Sequence, residues 1–154
     1  MESVMGIFQN LLEHVTAYVG DKTLMQAAVS AASNVIVADS EVDEGEVEVA
    51  LAAMRANPII EKGYDTLMLE AELFDGIARA RTRVGRADNL SRVAAIADRS
   101  LEQRNGVFLI AADAADHEGI SDVEHQALEE IAEALSVDKE TLLRLAPVRP
   151  SNPS

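Results

Sequence analysis

The chain has no cysteine and no tryptophan among its 154 residues. The first absence excludes disulfides, thiolate metal sites, iron–sulfur clusters and cysteine nucleophiles together. Aromatic residues make up only 3% of the chain, and strands draw heavily on aromatic and β-branched side chains, so sheet-rich folds are disfavoured. Long apolar runs are missing as well. The longest uncharged stretch, Thr23 to Ala38, has 16 residues and contains Gln26, Ser30, Ser33 and Asn34, short of the roughly 20 apolar residues that span a bilayer. The opening residues carry Glu2 and Glu13 but no Lys or Arg, which argues against a secretory signal and sets a cytoplasmic protein as the expectation. What is abundant is alanine, at 25 residues, within a hydrophobic fraction of 48%. That composition builds a core from small and aliphatic side chains in closely approaching helices, and the length fits one domain.

Lys and Arg are absent from two long windows. Asn34 to Met54 holds six acids (Asp39, Glu41, Asp43, Glu44, Glu46, Glu48), and Asn105 to Asp138 holds nine, among them Asp113, Asp116, Glu118, Asp122 and Glu124, with no Lys or Arg in either. The net charge of −14 therefore arises in two local stretches. Such a surface is a poor partner for nucleic acid, which needs clustered Lys and Arg. The only basic cluster is Arg79, Arg81, Arg83, Arg86 and Arg92, read either as a solvated helix face or as a contact surface for an acidic partner or anionic headgroups.

Helical periodicity recurs along the chain. Val4, Phe8, Leu11, Leu12, Val15, Tyr18 and Val19 predict an amphipathic first helix ending near Gly20. Thr23 to Ala38, apolar on most faces, is the expected central helix. Helices are also expected from Asp43 to Asn57, from Thr66 to about Arg83, over Leu90 to Leu101, over Asn105 to Ala115, over Ser121 to Leu135 and briefly after Asp138, with a short turn from Pro58 to Gly63. The fold class is thus all-α, a compact bundle of about seven to eight helices. The domain is expected over residues 1–147, with a Pro-rich flexible tail at 148–154.

The two acidic windows align with each other. Ala38-Asp39-Ser40-Glu41-Val42-Asp43 followed by Glu46 matches Ala115-Asp116-His117-Glu118-Ile120-Ser121 followed by Glu124, once Gly119 is treated as an insertion. Asp39 and Asp116 are 77 residues apart. Each copy reads as helix, acidic turn, helix, so the bundle should contain an internal pseudo-repeat. Asp43, Glu46, Ser121 and Glu124 can be explained as helix caps. Asp39, Glu41, Asp113, Asp116 and Glu118 cannot, because they lie at or past helix C-termini, where the dipole disfavours negative charge. Either a distant Arg or a metal ion compensates them, and an oxygen-only donor set suits Ca²⁺ or Mg²⁺. An EF-hand loop is excluded: Asp39, Glu41 and Asp43 match its positions 1, 3 and 5, but Glu44 stands where it needs Gly and Ala50 where it needs Glu. His117 and His125 lack zinc-site spacing. No nucleophile triad, dinucleotide fingerprint or phosphate loop is present.

The run Met25-Gln26-Ala27-Ala28-Val29 leading into Val35-Ile36-Val37-Ala38-Asp39-Ser40-Glu41-Val42-Asp43 and Glu46, with the second copy ending Ile120-Ser121 and Glu124, resembles the TerB tellurite-resistance family over roughly Lys22 to Ala146. The resemblance implies a helical domain with a pseudo-repeat, a stress-response role and no enzymatic activity. It also implies a TerC-like membrane protein among the partners, which would place the chain peripherally at the inner membrane. The family's acidic positions, thought to bind divalent metal, fall on Asp39, Glu46, Asp116 and Glu124, with Glu41, Asp43 and Glu118 beside them. The Gly that usually follows Ala-Asp is Ser40 in the first copy and His117 in the second. Without cysteine, thiol-based handling of tellurite by this chain is excluded. The competing expectation is a structural or assembly module of the same fold in which the acids serve only as caps and solubility charges.

Overall fold

In the computed structural model the described residues are 20–116 and 119–145. They form eight α-helices and no strand: α1 Lys22–Ile36, α2 Glu44–Ala56, α3 Pro58–Gly63, α4 Thr66–Ala80, α5 Arg83–Ala94, α6 Leu101–Ala115, α7 Asp122–Leu135 and α8 Lys139–Leu143. The expected helix over Val4 to Val19, the residues His117 and Glu118 and the Pro-rich tail lie outside the described residues.

Helix α1 is the centre of the bundle, as its composition predicts. Every residue from Ala27 to Ile36 is buried, and α4, α5 and α6 pack around it. Small side chains let these helices approach closely: a Cβ on Gly76 of α4 would sit 2.3 Å from Ser33 Oγ on α1. Ser33 Oγ in turn donates to the carbonyl of Val29 at 2.7 Å. One buried polar knot ties three helices. Asn89 of α5 donates to Asn34 Oδ1 at 2.9 Å and to the Gly76 carbonyl at 3.2 Å, and its own oxygen accepts from Arg79 Nε at 2.9 Å. All of its hydrogen-bonding capacity for donors is used, which is how a fully buried amide is tolerated in an apolar core.

The helix boundaries follow the side chains available as caps. Asp21, Asp43, Asn57, Asp65, Thr82, Ser100, Ser121 and Asp138 each stand at an N-cap and accept from a backbone N–H of the following turn. Three expectations are corrected by this. Residues 58–63 form a short helix instead of a turn, because Asn57 caps it through two N–H groups and Pro58 fits the first helical position. The segment from Thr66 to Arg83 ends at Ala80, and Thr82 Oγ1 accepts from Gly85 N at 3.0 Å to start a new helix, which places Gly85 inside α5. The segment read as Leu90 to Leu101 is divided, since Ser100 caps α6 five residues before the apolar run at Asn105.

The pseudo-repeat is visible in the element order. Helices α1 and α2 are joined by the first acidic turn and α6 and α7 by the second, with α1 packed on α6 and also on α7. This arrangement carries the two turns to one end of the bundle.

Candidate metal centre

The first turn begins where α1 ends. Ser40 donates its N–H to the Val37 carbonyl at 2.9 Å and takes φ 71°, turning the chain so that the Asp39 side chain accepts from Glu41 N at 3.3 Å. Val42 packs against the core, and Asp43 caps α2 through Gly45 N at 2.7 Å. Glu46, in the first turn of α2, is buried at 7% exposure. The second turn starts at Asp116, the C-cap of α6. Gly119 has φ 97°, a conformation that glycine adopts without a Cβ penalty. Ile120 then packs on the core as Val42 does.

Ser121 and Glu124 form a complete capping box: Ser121 N donates to Glu124 Oε1 at 2.9 Å and Glu124 N to Ser121 Oγ at 3.3 Å. The box uses only one carboxylate oxygen. Glu124 is 3% exposed, and its Oε2 is buried with no hydrogen-bond partner among the described residues. A buried carboxylate oxygen left in this way is costly unless something charged or protic meets it.

Asp39, Glu46 and Glu124 converge, each offering an oxygen within 4.8 Å of the others. They line a cleft of about 400 Å³ together with Glu41, Val42, Asp43, Gly119 and Ser121. Among the described residues no Lys or Arg lines it, and the ion pairs Arg79–Asp88, Arg92–Asp88 and Arg99–Asp21 lie elsewhere. The cleft sits at the N-termini of α2 and α7, whose partial positive charge favours Glu46 and Glu124, whereas Asp39 stands just past the C-terminal end of α1. Carboxylates of this number and spacing at the junction of three helices could hold a hard cation. Oxygens bound to one Ca²⁺ at ~2.3–2.6 Å can lie at most about 5 Å apart, so the observed spacing fits a shared ion.

No family model, curated protein or solved structure matches the chain.

The expected ligands divide into three groups. Asp39, Glu46 and Glu124 meet; Glu41 and Asp43 line the same cleft; Asp116 is at the end of α6, outside both the carboxylate trio and the cleft lining. Glu118 lies outside the described residues. Asp113, in the last turn of α6, has its pKa raised from the ordinary carboxylate value, first by partial loss of solvent around its carboxyl and second by the charge of Asp116. Sequence reasoning did not find the division of labour in Glu124. Its spacing from Ser121 gave the cap, and nothing in that spacing told that the second oxygen would be buried without a hydrogen-bond partner among the described residues. Within the basic cluster, Arg79 and Arg92 are held by Asp88, and Arg92 also reaches Gln26 Oε1 at 2.7 Å, so these two serve as interhelical ties. Arg83 and Arg86 line a separate groove with Leu90, Val123 and Ala127.

Proposed function

We propose that this chain is a TerB-like, non-enzymatic stress-response module that binds one divalent cation, Ca²⁺ or Mg²⁺, between its two acidic turns. The observations that carry this reading are the convergence of the Asp39, Glu46 and Glu124 carboxylates within 4.8 Å of one another and the buried Glu124 Oε2 that has no hydrogen-bond partner among the described residues. Glu41 and Asp43 at the rim and water would complete the coordination shell, which needs six or more oxygens for Ca²⁺. The tellurite-resistance assignment rests on the sequence resemblance. Its other faces would bind protein partners, a TerC-like membrane protein among them. None of the described helices is long and apolar enough to cross a membrane, so attachment to a membrane through these helices would go through such a partner.

A cation shared by α1, α2 and α7 would tie the two halves of the pseudo-repeat, making stability and partner choice responsive to metal. The capping roles of Asp43, Ser121 and Glu124 favour a second reading, an assembly module in which the acids only cap helices. Melting temperature separates the two. In metal-stripped protein, added Ca²⁺ or Mg²⁺ should raise it in the wild type and leave Asp39→Asn unmoved, since a ligand of the folded state stabilises it by mass action. An equal response of both proteins, or none at millimolar ion, would favour the assembly module.

A further inference from the structure

Helix α4 is buried on one face only. Leu69, Leu73, Gly76, Ile77 and Ala80 face the core, while Leu67 and Phe74 are 77% and 52% exposed and Ala71 and Ala78 are exposed between and beyond them. Leu67, Ala71, Phe74 and Ala78 follow one another at intervals of 4, 3 and 4 residues, the spacing that forms the seam between two paired helices. The sequence holds a second stripe of the same period: Val4, Phe8, Leu11, Val15 and Tyr18, at intervals of 4, 3, 4 and 3. The described chain begins at Gly20, two residues after that stripe in sequence. Gly20 packs on the residues just ahead of α4, so closely that a Cβ there would lie 2.7 Å from Gly63 Cα and 3.2 Å from the Tyr64 ring.

We propose that the outer face of α4 is the docking surface for the chain's own residues 4–18, laid antiparallel along it. With Gly20 fixed at the start of α4, Tyr18 falls opposite Leu67, Val15 opposite Ala71, Leu11 opposite Phe74 and Phe8 opposite Ala78. Phe8 thus meets the smallest residue of the seam, the interdigitation that two packed helices require. At helical rise the stripe from Leu67 to Ala78 spans about 17 Å and the one from Val4 to Tyr18 about 21 Å. The proposal is independent of the cation site.

The absence of native cysteine gives a clean test, because Val15→Cys with Ala71→Cys introduces the only thiols. Oxidation should yield an intramolecular disulfide in a protein of monomer mass, while Val15→Cys with Glu133→Cys, on the outer face of α7, should stay unlinked. In the unmodified protein, amide exchange should be slowed at Phe8, Leu11 and Val15, and Phe74→Ser should abolish that slowing while leaving α6 protected. An unlinked monomer from the first pair, or free exchange of residues 4–18 in the wild type, overturns the proposal. A disulfide-linked dimer also overturns it and identifies a second copy of the chain as the occupant.

Discussion

Ser40 adopts a left-handed backbone conformation with φ 71°, which an L-residue reaches only at a cost of about 1–2 kcal/mol. Its position, one residue after Asp39, fixes where that carboxylate points, so the strain is spent on the geometry of the cleft. Ser40→Gly should relieve the strain but add unfolded-chain entropy, for a net gain of up to about 1 kcal/mol in urea unfolding. Asp113 behaves in the opposite sense from a paired acid. Its raised pKa means that the folded state binds its proton more tightly than the unfolded chain does, so ionisation at neutral pH works against folding. Asp113→Asn should therefore raise the melting temperature at pH 7. The advantage should close as pH falls through the raised folded value and the wild-type carboxyl becomes neutral. A melting difference that grows on acidification would contradict this assignment.

At the scale of elements, stability is concentrated where polar groups join helices. Asp21 both caps α1 through Leu24 N at 3.1 Å and pairs with Arg99 through two contacts, of 2.7 and 3.2 Å. The hydrogen bonds from Arg99 hold its pKa below the ordinary carboxylate value. Asp21→Asn keeps the capping oxygen and loses the ion pair, at about 1 kcal/mol after screening of the partly exposed pair. Asp21→Ala also loses the cap, for about 1 kcal/mol more. Because the folded pKa is depressed, this contribution is complete above the unfolded carboxylate value and disappears as pH falls through the folded one, so the variants and wild type should converge in acid melts. Asn89→Ala has a larger effect expected, about 2–4 kcal/mol, since Asn34 Oδ1, the Gly76 carbonyl and Arg79 Nε all lose their partner inside the bundle. Helices were legible in the sequence wherever an apolar period coincided with a capping residue, as at Asp43, Ser121 and Asp138. They were misread at Thr82 and Ser100, where the cap alone decides the boundary and the apolar pattern runs across it. The polar knot around Asn89 was not legible, because no local pattern tells which buried amide on one helix will meet another.

At the scale of the molecule, the uneven charge and the pseudo-repeat have one geometric outcome. Folding α1 against α6 and α7 brings the first turn and the start of α7 together, so two acidic stretches 77 residues apart in sequence contribute to a single cleft. The repeat made the pairing of the turns legible, and three of the residues it singled out, Asp39, Glu46 and Glu124, share that cleft. It did not tell that the copies contribute unequally. The first turn supplies Asp39 and Glu46, whereas Asp116 stays at the end of α6, outside the cleft lining. Calorimetric titration of metal-stripped protein with Ca²⁺ and with Mg²⁺ tests this most directly. The expected result is one saturable ion per chain, lost in Asp39→Asn and in Glu124→Gln and retained in Asp116→Asn. Two ions per chain, loss in Asp116→Asn alone, or no saturable heat at millimolar ion would contradict a single cation site built from Asp39, Glu46 and Glu124.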